Sequence, residues 1–316
     1  MRMTLVIGLF VAVAAGGAFP AGALEVSIRD GFLGENNFDT PAAGMRHLGL
    51  TQVEVALERD FTVRDFEGKG RVSVKSDAEA KAFGETLARL GLNCCGLLTA
   101  CDFSAGEPEE NVAWVARAIE IAGLVGAPAV RIDSAMKRER ELDFETRVNI
   151  FADNLSEVLK RTADSPVTLG IENHGFQGNN LAFLLNVYQR VGSERLGSTL
   201  DTGNFYWRGY PLGEVYGILR VLAPHAKHTH LKNINYPEDQ REVMREAGWK
   251  YDTYFCALED GDIETAKVAR MLLDAGYQGT LCIEDESVGR FKTREERVAL
   301  LERNVAHMKT VVEGLK

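Results

Sequence analysis

The 316-residue chain has no run of basic residues, no apolar stretch of bilayer-spanning length, few prolines (8) and five cysteines without metal-type spacing. Each shortage narrows the function. With 36 Lys and Arg against 46 Asp and Glu, a formal charge of −10 argues against a nucleic-acid partner, which needs clustered cations against phosphates. Cys94, Cys95, Cys101, Cys256 and Cys282 are odd in number, and the adjacent pair is poorly placed to bridge to itself. No disulfide framework follows, and the thiols read as small buried hydrophobes. No Gly-x-Gly-x-x-Gly turn follows the first strand, and no Gly-rich loop opens a helix, so dinucleotide and phosphate-cradling folds lose their marker.

What is present begins with a leader. Arg2 precedes an apolar run from Leu5 to Phe19, followed by Pro20 and the small residues Ala21-Gly22-Ala23. At about 15 residues the run is shorter than the roughly 20 needed to cross a bilayer. A charged start, a short apolar core and a small-residue cut describe a secretory signal. Residues 1–23 are therefore expected to be a signal peptide, and 24–316 a single domain beginning near Leu24. The protein is expected to be exported, periplasmic or secreted, with no membrane attachment after cleavage. No cysteine stands at the cut and no Arg-Arg pair precedes it, which argues against a lipoprotein and the twin-arginine route.

From Leu24 onward strand and helix alternate. Strands are expected at 25–29, 52–57, 94–98, 129–133, 167–172, 196–201, 226–231 and 280–284. Helices are expected at 40–48, 77–90, 109–125, 144–162, 181–191, 212–222, 263–275 and 294–312. Eight such units in about 290 residues imply an α/β fold of the (β/α)₈ TIM-barrel type, whose site lies at the C-terminal strand ends. An open doubly wound sheet is the rival, but polar groups end nearly every strand instead of clustering at one switch point. By strand parity Arg29, Glu54, Arg131, Asp133, Glu172, Asp201, His230 and Glu284 face inward near the rim, and a closed barrel makes them one site.

Five segments, in order and on successive strands, carry a resemblance. They are Ile171-Glu-Asn-His174, Leu200-Asp-Thr-Gly-Asn204, His228-Thr-His-Leu-Lys-Asn233, Gly261-Asp-Ile263 and Gly276-Tyr-Gln-Gly-Thr-Leu-Cys-Ile-Glu284. Through them the chain resembles the xylose isomerase-like barrel superfamily, which holds D-tagatose 3-epimerase-type sugar epimerases and an apurinic endonuclease branch. The resemblance implies one divalent metal held by Glu172, Asp201, His230 and Glu284. Spacing agrees: 29 residues separate Glu172 from Asp201 and 29 more separate Asp201 from His230, about one strand-helix-strand repeat each. Three carboxylates and one imidazole make a hard site suited to Mn²⁺, Mg²⁺ or Co²⁺, with Zn²⁺ as a further candidate.

The resemblance also implies chemistry at that site. Glu172 and Glu284 become the acid–base pair that exchanges a proton alpha to a ketose carbonyl, with His174 and Lys232 hydrogen-bonding substrate oxygens. Arg131 is a substrate-side cation, or else a barrel-interior partner of Asp133, Glu54 or Arg29. His228, on the face of His230, is grouped with the substrate side and sits deeper or orients the metal shell. Trp207, with Phe205 and Tyr206, is read as an apolar wall for a sugar face, against the alternative that these rings close the core. Phe32 and Phe176 are candidates for the same wall. The long 234–260 loop is expected to be a lid or a partner surface.

Departures from the family pattern carry weight. Lys232-Asn233 stands where Lys-Asp is usual, removing a carboxylate that a two-metal hydride shift would use. Glu259-Asp260-Gly261-Asp262 replaces Gly-Glu-Gly-Asp. Export and the missing phosphate loop favour a free sugar, keto-sugar or glycoside as the small-molecule partner. A 3-keto-glycoside lyase using the same metal and Glu pair is the alternative, with a non-catalytic sugar-binding barrel and an apurinic endonuclease behind it.

Overall fold

The computed structural model describes residues 24–138 and 140–315, so the expected signal peptide lies outside the described residues. Eight parallel strands form the inner wall: β1 Glu25–Arg29, β2 Gln52–Leu57, β3 Asn93–Thr99, β4 Ala129–Ile132, β5 Thr168–Glu172, β6 Leu196–Asp201, β7 Ala226–His230 and β8 Thr280–Ile283. The hydrogen-bonded order runs β8-β1-β2-β3-β4-β5-β6-β7, and a bridge between Leu231 and Ile283 joins its two ends. The wall is a nearly closed (β/α)₈ barrel. Outside it stand α1 Pro41–Leu48, α2 Asp77–Arg89, α3 Pro108–Val125, α4 Phe144–Arg161, α5 Leu181–Val191, α6 Leu212–Leu222, α7 Thr265–Asp274 and α8 Arg294–Glu313. None of the helices searched among the described residues is long and apolar enough to cross a membrane.

Local sequence sets these boundaries. Ser76 and Glu79 form a capping box before α2, as Thr293 and Glu296 do before α8, satisfying helix N–H groups that would otherwise be orphaned. The apolar face of each strand packs outward against the helices. In that layer Phe151 meets Phe103 and Phe183 edge-on at 5.9 and 5.3 Å. Burying one such ring contributes about 1.5–3 kcal/mol.

The inner faces are polar, and two irregularities re-aim them. β2 pairs Val53 with Cys94 and then Glu54 with Gly96, so Cys95 is an extra residue in β3. β6 pairs Ser198 with Ala226 and Thr199 with His228, which makes Lys227 an extra residue in β7. Bulges of this kind bend a strand and redirect a side chain. Gly170 also faces inward, where an added Cβ would sit 2.7 Å from the Thr199 backbone nitrogen, so a larger residue would push β5 from β6.

Two stretches read only as loops are partly ordered. Thr62–Arg64 and Arg71–Ser73 form an antiparallel hairpin after β2. Within the 234–260 loop Asn233–Ile234 pairs with Phe255–Cys256, ahead of which Tyr251–Tyr254 is a helical turn.

Candidate metal centre at the barrel mouth

Each ligand candidate reaches the mouth by a local device. Asn173, next after Glu172, accepts the Asp201 N–H (2.8 Å) and donates to the Asp201 carbonyl (2.9 Å), locking the end of β5 to the end of β6. Asp201 Oδ1 then accepts the N–H groups of Gly203 (2.8 Å) and Asn204 (2.7 Å), which opens the following turn and leaves Oδ2 without a hydrogen bond. Glu284 uses Oε1 to accept from Arg29, and its Oε2 likewise makes no hydrogen bond, with Lys232 Nζ 3.9 Å away. Glu172 accepts from Arg131 and from Asn204 Nδ2 (3.2 Å).

His230 completes the set. Its Nε2 lies 2.9 Å from Glu54 Oε1, so in the neutral ring the proton belongs on Nε2 and Nδ1 turns its lone pair to the mouth. That Nδ1 is 3.0 Å from Glu284 Oε2 and 3.5 Å from Glu172 Oε2, yet makes no hydrogen bond. Donor atoms of Glu172, Asp201, His230 and Glu284 lie within 4.8 Å of one another, and all four residues are buried. Three of those residues turn an unsatisfied buried atom into one space. Such atoms are costly unless a cation meets them.

The electrostatics point the same way. Burial disfavours the His230 imidazolium, but Glu54 and Glu172 overcome it and raise the ring from 6.5 to about 9. A centre that draws a proton onto a buried imidazole attracts other cations too. Burial raises Asp201 although Lys232 Nζ stands 3.4 Å away. Glu172 is held well below the usual carboxylate range, because Arg131 and His230 outweigh its burial. Glu54, Glu172, Asp201 and Glu284, all buried, are met by Arg29, Arg131, Lys232 and the proton that His230 draws, so an ion at the mouth would take that proton's place. The donor set therefore fits a hard divalent ion.

The other candidates divide. Lys232 is buried at the site, with Nζ 2.8 Å from Glu286 Oε1. His174 stays part-exposed, with Nδ1 3.4 Å from Asp133 Oδ1. Arg131 is enclosed by Glu172, Asp133 (2.8 Å) and the Thr99 carbonyl (2.9 Å), the interior pairing weighed above. His228 does not face the mouth: it sits deeper, Nε2 3.0 Å from Glu54 Oε1, so it is placed behind the ligands and not on the substrate side. Phe205 and Tyr206 are fully buried, and Trp207 lies under the long loop against Gly248. Those rings close the core and carry the loop, because Tyr206 Oη donates to Asp262 (2.8 Å), which also accepts the Tyr236 N–H.

Glu286 was not anticipated. Strand β8 stops at Ile283, so parity fails to place it, yet it joins Lys232 to Tyr251 Oη (2.8 Å) and ties the 234–260 loop to the mouth. Arg290 reinforces that strap by donating to the carbonyls of Asp252, Thr253 and Phe255. Beside Glu286 lies a cavity of about 770 Å³ lined by the 31–41 loop, the hairpin and Val288 to Phe291. Glu286 lines it, and none of the four candidate metal ligands does.

A barrel whose candidate metal ligands converge at its C-terminal rim defines the class of protein. The model of the xylose isomerase-like TIM barrel family matches residues 44–311, and the chain belongs to that family. An uncharacterised protein of Methanocaldococcus jannaschii is 25% identical over 138 residues, a match spanning 42% of this chain and 42% of that relative. The structure of an L-ribulose 3-epimerase superposes with a TM-score of 0.66 at 16% identity, covering 92% of this chain and 95% of that one. A xylose isomerase-like TIM barrel protein from Mycobacterium smegmatis in complex with magnesium gives 0.65 at 17% identity, covering 93% and 97%. At such identities these likenesses establish the fold.

Proposed function

We propose that the protein is a divalent-metal-dependent isomerase or epimerase of a free sugar or keto-sugar, moving the proton alpha to a carbonyl. The observation that carries this reading is the convergence of unsatisfied Asp201 Oδ2, His230 Nδ1 and Glu284 Oε2 beside Glu172. The names of the L-ribulose 3-epimerase and of the magnesium complex support the sugar and the ion. Held by Glu172, Asp201, His230 and Glu284, the ion would polarise the carbonyl and stabilise developing negative charge.

The chain's own groups do the rest. Glu172 and Glu284 exchange the proton, one as base and the other as acid. Arg131 and Arg29 orient those carboxylates. Lys232 offers an ammonium at the mouth, and His174, part-exposed, is placed to meet a substrate hydroxyl. The strap through Tyr251 and Glu286 excludes water while the proton is held.

Turnover in deuterated water is expected to place deuterium at the alpha carbon, and Glu284→Gln to lose about 10²–10⁴-fold in rate. Product free of solvent deuterium, made by an active Glu284→Gln enzyme, would overturn the assignment. The 770 Å³ cavity favours a second reading, a 3-keto-glycoside lyase, since a glycoside's aglycone needs room beyond the sugar. Release of free aglycone from a keto-glycoside distinguishes the two.

A further inference from the structure

Behind the mouth lies a second constellation that the proposed reaction leaves unused. Glu54, His228, His230 and Cys282 each present one donor atom, and the four atoms lie within 4.8 Å of one another. Glu54 Oε1 is 3.0 Å from His228 Nε2 and 2.9 Å from His230 Nε2. All four residues are at most 2% exposed. His228 Nε2 makes no hydrogen bond despite that short approach. A buried imidazole nitrogen left without a partner is destabilising unless a cation or a donor meets it. Nitrogen and oxygen ligands of tetrahedral zinc, at about 2.0–2.1 Å from the ion, lie roughly 3.3 Å apart, within a few tenths of an ångström of the two separations between Glu54 and the imidazoles.

The surroundings leave room for this cluster. The ring of His228 packs on Gly96, where an added Cβ would stand 3.4 Å from ring atoms. The extra residue Lys227 in β7 sets the register in which Thr199 faces His228, and the extra Cys95 in β3 brings Gly96 opposite Glu54. Two bulges thus converge on four donors of which none reaches solvent.

We propose that Glu54, His228, His230 and Cys282 form a second divalent-cation site, of carboxylate–imidazole–thiolate character and suited to Zn²⁺ or Co²⁺, that shares His230 with the outer centre. His230 would present Nδ1 to the outer ion and Nε2 to the inner one. Seating the inner ion displaces the Cys282 thiol proton and the His230 Nε2 proton, both to solvent. The role is structural, since no donor of the inner site opens to the mouth. The inference goes beyond the proposed reaction and stands without it.

Full-length protein purified from cobalt-supplemented cells tests it by metal analysis and absorbance. Two ions per chain are expected, together with a thiolate-to-cobalt charge-transfer band in the near ultraviolet. Cys282→Ser is expected to lose that band and one ion. Asp201→Asn, which weakens only the outer centre, is expected to keep the band. One ion per chain without the band in the unaltered protein would overturn the proposal, and so would a band that persists in Cys282→Ser. Failure of the outer centre alone would show instead as a band at one ion per chain.

Discussion

Asp30, at the end of β1, is 2% exposed, and its Oδ2 has no hydrogen bond. Burial pushes the carboxyl up from 3.8 to about 6, against the opposing pull of Arg64 and of the Ala56 N–H. Burial wins because the Arg64 Nε is 3.9 Å away and that side chain is 35% exposed, where solvent screens its charge. A carboxyl raised in the folded state favours folding most below its ordinary value, and that contribution is lost as the pH rises through about 6. At 1.36 kcal/mol per pH unit, the span from 3.8 to about 6 amounts to about 3 kcal/mol. Asp30→Asn cannot ionise. Its stability relative to the unaltered protein is therefore expected to rise by about 3 kcal/mol between about pH 3 and pH 8. Any constant cost of the new amide cancels in that difference. Urea denaturation of both proteins across the range measures it. A pH-independent difference would mean that Arg64 balances burial and leaves the carboxyl at its ordinary value, and a difference that falls with pH would mean that Arg64 outweighs burial.

Two further outcomes are expected. Chelation should lower the unfolding free energy by about 2.7 kcal/mol when the metal had been present at a hundred times its dissociation constant. Asp201→Asn, which keeps the caps on Gly203 and Asn204, should remove the outer ion's share of that response in calorimetry. N-terminal sequencing of exported protein should begin at or near Leu24, and retention of Met1 would refute the leader.

Strand ends and ligand positions were legible because both follow from periods. Residue parity along β5 and β8 sends Glu172 and Glu284 inward, and a constant 29-residue repeat delivers Asp201 and His230 to neighbouring strand ends. What broke a period was not legible. The extra residues Cys95 and Lys227 shift the register without any signal in propensity, so the pairing of Glu54 with both His228 and His230 stayed hidden. Glu286 lies past the end of β8, and nothing in strand alternation places it. Trp207, Phe205 and Tyr206 show a different limit: a loop's aromatics can serve a substrate or a core, and only tertiary packing decides. The hairpin after β2 did have a cue, Gly68-Lys69-Gly70, but its strands of three residues carry too little alternation to announce themselves.

The closing seam of the barrel joins the metal centre to stability. Seven neighbouring strand pairs form ladders, whereas β7 and β8 meet chiefly through Leu231, whose N–H donates to the Cys282 carbonyl (2.8 Å) and whose carbonyl accepts the Glu284 N–H (2.9 Å). One step deeper, the Thr229 hydroxyl substitutes for a ladder, donating to the Thr280 carbonyl (2.7 Å) and accepting the Cys282 N–H (3.2 Å). His230 and Glu284 flank this seam from its two sides, so an ion bound to both would bridge the place where backbone pairing is thinnest. Chelation is then expected to accelerate hydrogen exchange at the Leu231 and Glu284 amides more than at Val55 and Leu97, in the ladder between β2 and β3. Equal acceleration at both places would make the ion a global stabiliser with no special hold on the seam. No acceleration at Leu231 would separate the metal centre from barrel closure altogether.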